Sequence, residues 1–585
     1  MTEKPAGLDF TKLPRHTPRR FVAENAALVD AKEVTALCEK LLARKIETRS
    51  DLDAWLADRS EFEAALDQAS ATLYISMTCQ TDDKARAAAY TSFITTVEPA
   101  AKPLFDKLDR KYLEALSRLP AGRGARRMKV YDRNVRGDAE LFREENVPLQ
   151  TDEAVLSQEY QAVSGAMTVS FDGKERPLPE MGKFLLEPDR PLRERAWRAT
   201  AARRLVEKEK FEGLFEKMFA LRVKIAANAG LAPVEYQFRR YHRFDYTPAD
   251  CERFHRAVER FVVPLSREIQ LARRRTMKLD TLRPWDAAVD PEGRAALKPF
   301  EKPEELIAGA EAAFTQVDPE LGAQFAEMRD AGLLDLACRK GKAPGGYMSS
   351  LQEARKPFIF MNAVGVDRDV TTLLHEGGHA FHNFACADEP LCMYRSAVPL
   401  EFAEVASMAM ELLAGDYIGG FYKPEDLRRS KREHLEGIIN LLPWIATVDA
   451  FQHRLYTRPA HARDDRRAAW LEVMDRFSGG VVDWTGLDEE RACSWHRQLH
   501  IFQYPFYYIE YGIAQLGALG LWVAARKDRP KTLAAYRKAL SLGGSRTLPD
   551  LFKAAGLPFD FSEKAVEPLV AAVAKELSLP LSGGG

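Results

Sequence analysis

Through most of the chain apolar residues recur at intervals of three and four, the spacing of helices that turn one face to a core. From Ala31 to about Leu119 the stretches DLDAWLADRSEFEAALDQASATLYISM and TSFITTVEPAAKPLFDKLDRKYLEALSRL predict long antiparallel helices. Residues 123–150 are charged and read as irregular, and a helix follows through Ser164. The pattern changes at GAMTVSFDGKERPLPEMGKFLL, where Asp172-Gly173 between short alternating stretches predicts a small β-hairpin. Helix returns at Pro191 and runs to about Asn228, ended by Gly230 and Pro233. The aromatic segment holding Tyr236, Tyr241, His242, Asp245 and Tyr246 reads as a loop packed by its own rings or lining a channel, and Thr247-Pro248 starts the next helix. A Pro-rich connection over residues 283–305 leads to helices that run to about Leu334.

The most informative stretch comes next. Gly345-Gly346 predicts a flexible loop, and the apolar run Phe358 to Met361, bounded by Pro357 and Asn362, predicts a strand leading into a helix from Asp367. That helix carries HEGGH. His375 and His379 are four residues apart, so their imidazoles lie one turn above each other and can grip one metal ion. Glu376 stands beside them, where its carboxylate can take a proton from a metal-bound water. A third protein ligand and an open fourth position complete a hydrolytic zinc site. Downstream, Glu401, Glu404, Ser407 and Glu411 fall at helical spacing among Phe402, Val405, Met408, Leu412 and Leu413. A carboxylate stripe on an apolar helix needs a cation or another partner to offset its burial, so the stripe is expected to face the histidines. Gly377 and Gly378 each cost the helix up to about 1 kcal/mol relative to Ala, which predicts that something approaches the backbone there.

With 585 residues the chain exceeds a single core, so two lobes are expected. Division is expected near residue 190, with an N-terminal helical lobe and small hairpin over 1–190 and a catalytic helical lobe over 191–585. Lys and Arg number 85 against 86 Asp and Glu, a net charge of −1 that gives no footprint for nucleic acid or an anionic membrane. The N-terminal stretch MTEKPAGLDFTKLPRHTPRRFV has no continuous apolar segment, and no later run approaches twenty apolar residues. A cytoplasmic protein is the expectation. Seven cysteines form no C-x-x-C pair and are expected to be reduced and structural, including Cys386 and Cys392 beside the metal region.

Near the C-terminus, HIFQYPFYYIEYG places Tyr504, Tyr508 and Tyr511 at intervals of four and three after His500. On spacing alone this is a helical stripe that serves either a core or a cleft. Together with HEGGH and with Glu404 in EFAEVASM twenty-five residues after His379, the run resembles the thimet oligopeptidase, neurolysin and oligoendopeptidase F family of zinc peptidases, and the bacterial oligoendopeptidase F branch most closely. Clear motifs span roughly Lys340 to Gly512, with weaker similarity at RRYHRFDYTPAD.

The resemblance implies a mainly helical, two-lobed zincin fold with a small β-sheet beside the zinc helix and a deep substrate channel. It makes His375, His379 and Glu404 the ligands of one Zn2+ per chain and Glu376 the general base. His500, Tyr508 and Tyr511 become donors to the scissile carbonyl, with Tyr504 and the Gly345-Gly346-Tyr347 loop holding substrate backbone. Many relatives carry a bulkier residue where Gly377 stands, which would leave more room beside the metal. Glu411 is expected either to hold a ligand histidine or to make an ordinary ion pair. His382 is expected to be packed rather than a ligand, because three histidines on one helix cannot close around one ion. A metzincin, which needs Gly at 382 and His at 385, is excluded by His382 and Ala385. The expected activity is endopeptidase cleavage of short unstructured oligopeptides. A dipeptidyl carboxypeptidase and a non-catalytic peptide-binding protein are the alternatives.

Overall fold

The computed structural model describes Phe10, residues 13–120 and residues 125–580; the SGGG tail and most of the first twelve residues lie outside the described residues. The protein is mainly helical, with small sheets. Among the described residues no helix is long and apolar enough to cross a membrane. Two compact units form, each from three separate pieces of chain: Met1–Ala139, Leu297–Ser430 and Gly517–Phe559 in one, Glu140–Ala296, Lys431–Leu516 and Asp560–Gly585 in the other. These pieces interleave along the sequence, whereas a division at residue 190 follows chain order.

In the first unit, helices Ala31–Ala43, Arg49–Cys79 and Glu98–Arg118 bury Val34, Leu37, Leu41, Trp55, Phe62 and Leu108 together. Thr48 and Asp51 cap the long second helix reciprocally, with Asp51 N–H donating to Thr48 Oγ1 at 3.2 Å and Thr48 N–H to Asp51 Oδ2 at 2.8 Å. Residues 123–150 are not irregular as expected: helices Ala125–Leu141 and Asn146–Gly165 occupy most of them. Met128, Tyr131 and Val135 recur at three and four and pack into the same core, and the dense charge around them masks that short apolar face.

The site of interest is built on a three-stranded sheet in this unit. Strands β3 (Leu334–Ala337), β4 (Tyr347–Leu351) and β5 (Lys356–Ala363) lie in the order β3-β5-β4, with β5 parallel to β3 and antiparallel to β4. Strands β1 (Thr168–Phe171) and β2 (Lys174–Pro177) form the expected hairpin in the other unit; Asp172 and Gly173 turn it with φ of 49° and 73°. Phe358 to Met361, expected as a strand, sit inside β5 and are buried. The chain then turns directly into the helix Asp367–Ala385. Asp369 makes that joint: its Oδ2 accepts from the N–H groups of Val364, Gly365 and Val366 at 2.8, 2.9 and 3.0 Å.

In the second unit the expected helix from Pro191 to Asn228 is two helices, Arg190–Val206 and Lys208–Asn228, broken at Glu207. Its aromatic core stacks Trp495 on Phe502 with Phe215 edge-on to both.

Candidate active site

HEGGH lies mid-helix in Asp367–Ala385, and the carboxylate stripe lies on Leu400–Ala414. Gly378 explains how closely these helices meet. A Cβ there would sit 2.5 Å from Ala406 O and 2.6 Å from Ser407 Cα, so only glycine allows the approach. Gly377 does not leave room beside the metal as expected. Its missing Cβ would fall 2.5 Å from the ring of Phe314, so this glycine admits a core aromatic instead.

The close packing brings the three expected ligands together. His375 Nε2 lies 3.4 Å and His379 Nε2 3.8 Å from Glu404 Oε2, and the two imidazoles are nearly perpendicular with centroids 5.0 Å apart. One donor atom from each residue falls within 4.8 Å of the others, so the set can hold an ion. Around it, His375 Nδ1 is 2.7 Å from Glu411 Oε1, and Ser407 Oγ donates to Glu404 Oε2 at 2.9 Å. Partners of this kind fix ligand orientation. Of the two roles open to Glu411, it is the hydrogen-bonded support of His375 that the geometry favours.

The electrostatics describe a site short of positive charge. Burial alone would lower the His375 imidazole, but the Glu411 hydrogen bond and the charges of Glu411, Glu404 and Glu376 outweigh it and push it up to about 9. Burial pushes the Glu376 carboxyl up to about 7, helped by the Glu404 charge and opposed by His375 and the Met348 N–H. Burial, and then the charge of His375, hold His379 well below its ordinary value, in the neutral form that ligates metal. Two imidazoles and a carboxylate, with surplus negative charge around them, fit zinc.

His382 is buried on the same helix, its Nε2 without a hydrogen-bond partner, and it falls outside the ligand group. Cys386 and Cys392 also stay apart from it: Cys386 Sγ donates to Leu540 O at 3.1 Å, and Cys392 Sγ lies 3.9 Å from Asp67 Oδ2. Among the described residues every cysteine is free. The Met348 N–H that reaches Glu376 belongs to β4, an edge strand of the sheet. Just before it, Gly345 adopts φ of 98° and its carbonyl accepts from Asn362 Nδ2 at 2.9 Å, while a Cβ on Gly346 would touch Phe360 O at 3.4 Å. The Tyr347 hydroxyl is committed to Thr78 Oγ1 at 2.5 Å, and its ring stacks on Phe360 at 4.8 Å. Only backbone from this loop is left to meet a ligand.

The tyrosine run, in the other unit, departs from the single helix that its spacing predicted. Helix Leu499–Gln503 stops at Tyr504-Pro505, Phe506 takes φ of 60°, and a new helix starts at Tyr508. Proline at 505 prevents the helix from continuing, because it lacks an N–H and clashes with the preceding turn. The break nonetheless gathers four tyrosines about His500: ring centroids of Tyr508, Tyr507, Tyr511 and Tyr504 lie 4.8, 5.4, 6.1 and 6.2 Å from the imidazole. Tyr507 was missed because a helix would have turned it away from the other three. Tyr504 is the exposed member, at 44%.

One chain of hydrogen bonds sets the His500 tautomer. Trp444 Nε1 donates to Gln498 Oε1 at 3.2 Å, so the Gln498 amide nitrogen, 2.8 Å from His500 Nδ1, is the donor in that pair. Burial lowers His500 to about 4. The imidazole is therefore neutral near pH 7 and carries its proton on Nε2, free to donate. Burial also raises Tyr508, keeping its phenol protonated.

The model of Peptidase family M3 matches residues 184–569, more than half of the chain. Oligopeptidase PepF of Bacillus subtilis is 26% identical over 247 residues, which span 40% of this chain and 36% of that one. PZ peptidase A, solved with an inhibitor, superposes with a TM-score of 0.85 at 26% identity over 96% of this chain and 99% of its own. A structure assigned as an oligoendopeptidase F superposes with a TM-score of 0.82 at 26% identity and the same coverage. The match through residues 184–569 includes HEGGH, the carboxylate helix and the tyrosine run, and by it the chain belongs to peptidase family M3.

Proposed function

We propose that this protein is a zinc-dependent oligopeptidase that cleaves internal bonds of short unstructured peptides, with His375, His379 and Glu404 as the ligands. The observation that carries the reading is the convergence of those three donors beside Glu376, whose carboxyl is poised near neutrality. Zinc held there would supply Lewis acidity to a water and to the scissile carbonyl. Glu376 takes the water's proton during attack and returns it to the departing amine. His500, through Nε2–H, and the phenols of Tyr508 and Tyr511 donate to the carbonyl oxygen as negative charge develops. The backbone of β4 and the Gly345-Gly346 turn pairs with the substrate main chain, which any peptide sequence can offer. Tyr504 is a further substrate-binding residue in this reading.

Hydrolysis of an internally quenched peptide blocked at both ends tests the proposal. Internal cleavage that stops on chelation, returns with zinc and nearly vanishes in Glu376→Gln is the expected result. Trimming of free-ended peptides alone would replace it with the exopeptidase reading. Zinc binding without cleavage of either peptide would leave a peptide-binding protein.

A further inference from the structure

A second cluster with ligand chemistry lies in the second unit. Cys251 and His255 are four apart on the helix Pro248–Ala257, and Asp449 and His453 are four apart on the helix Pro424–Thr457, whose residues from Lys431 onward belong to this unit. Each pair therefore projects from one helix face. Cys251 Sγ, an Asp449 carboxylate oxygen and a His453 ring nitrogen lie within 4.8 Å of one another. Cys251 and His255 are 1% exposed and Asp449 is fully buried.

One of these groups presents an unpartnered atom. His255 Nε2 holds Asp449 Oδ2 at 2.8 Å, but Asp449 Oδ1 has no hydrogen-bond partner. His453 Nε2 pairs with that same Asp449 Oδ2 at 3.3 Å, short of hydrogen-bond geometry. A buried carboxylate oxygen left open in this way is rare and costly.

We infer that Cys251, Asp449 and His453 form a second, structural metal site that takes a borderline-soft dication such as zinc. Thiolate, carboxylate and imidazole together select zinc over magnesium or calcium. Thiolate and carboxylate balance the dication's charge, and His255 orients the carboxylate from behind. One fourth position is left to a non-protein ligand. Glu252, the carboxylate that follows Cys251, is taken up by His255 Nδ1 and by Arg476, each at 3.3 Å, so unlike Glu376 it is not placed to act as a base, and the site ties one helix to the other without catalysing hydrolysis.

Metal content and cobalt spectroscopy of the full-length protein test this independently of the proposed peptidase activity. The expected result is two equivalents of zinc in the wild type and in Glu376→Gln, and loss of one in Cys251→Ser and in His453→Gln. Cobalt-loaded protein should show a thiolate-to-cobalt charge-transfer band that His379→Ala retains and Cys251→Ser loses. The His375 cluster contains no sulfur and cannot produce that band. A wild-type cobalt protein without the band, or a band that persists in Cys251→Ser, would overturn the assignment. The wild-type spectrum decides even if a variant fails to fold. Failure of the peptidase reading would leave the band unchanged.

Discussion

Two clusters of donors in this protein are built alike and placed differently. In each, a pair of residues four apart on one helix meets donors from a second helix. The His375 cluster is half-buried, surrounded by surplus carboxylates, and has Glu376 at its side. The Cys251 cluster is more deeply buried, charge-balanced once a dication binds, and its neighbouring carboxylate, Glu252, is taken up by His255 and Arg476. The difference teaches that ligand geometry alone does not make a hydrolytic site. An adjacent carboxylate whose affinity for protons has been raised by burial does so.

The largest effect that could break this contrast comes from Glu376. Glu376→Gln should lower kcat by at least about 10²–10⁴-fold with metal content unchanged, as expected for loss of a proton-transfer group; a modest loss would remove the distinguishing feature of the open cluster. Tyr508→Phe and Tyr511→Phe should each cost about 10²–10³-fold in kcat with little change in KM, the signature of a donor used mainly in the transition state. Glu411→Gln should weaken zinc affinity or activity by about 10–100-fold. Gly378→Ala forces a methyl against backbone at 2.5 Å and should destabilise the fold by about 1–3 kcal/mol. Gly377→Ala meets only a side-chain ring and should cost less in the same thermal melt.

The smallest effect is a pH dependence of the metal-free protein. Glu376 is raised to about 7 in the fold, above its ordinary 4.5, so the folded state binds more protons than the unfolded state between those values. This contribution to stability is present below about pH 4.5 and is lost as pH rises through about 7. Metal-free Glu376→Gln should therefore gain stability over metal-free wild type as pH rises through that window, and zinc should abolish the difference. Equal melting curves at every pH would show that the open cluster carries no such charge imbalance.

Much of the open cluster could be read from the chain because its signal is local. His375, Glu376 and His379 occupy two turns, and Glu404 lies on the next long helix with its stripe. Strand β5 and the hairpin turn at Asp172-Gly173 were legible for the same reason. The Cys251 cluster was not, because its two halves are nearly two hundred residues apart and Cys251 alone looks like any buried cysteine. The tyrosine run was half legible: Pro505 announced a break, yet the spacing of Tyr504, Tyr508 and Tyr511 invited a continuous helix. The role of Gly377 could not be inferred, because Phe314 reaches it from sixty-three residues upstream.

Asp369 gathers three successive amides at the point where β5 becomes the HEGGH helix. The central strand of the sheet and the two histidines therefore share a single rigid hinge pin, and thermal motion of one is handed to the other. A peptide laid along β4 would thus be held at a set distance from Glu376, in the way a workpiece is held against a stop. Loosening the pin with Asp369→Ala should blur which bond is cut before it slows the cutting.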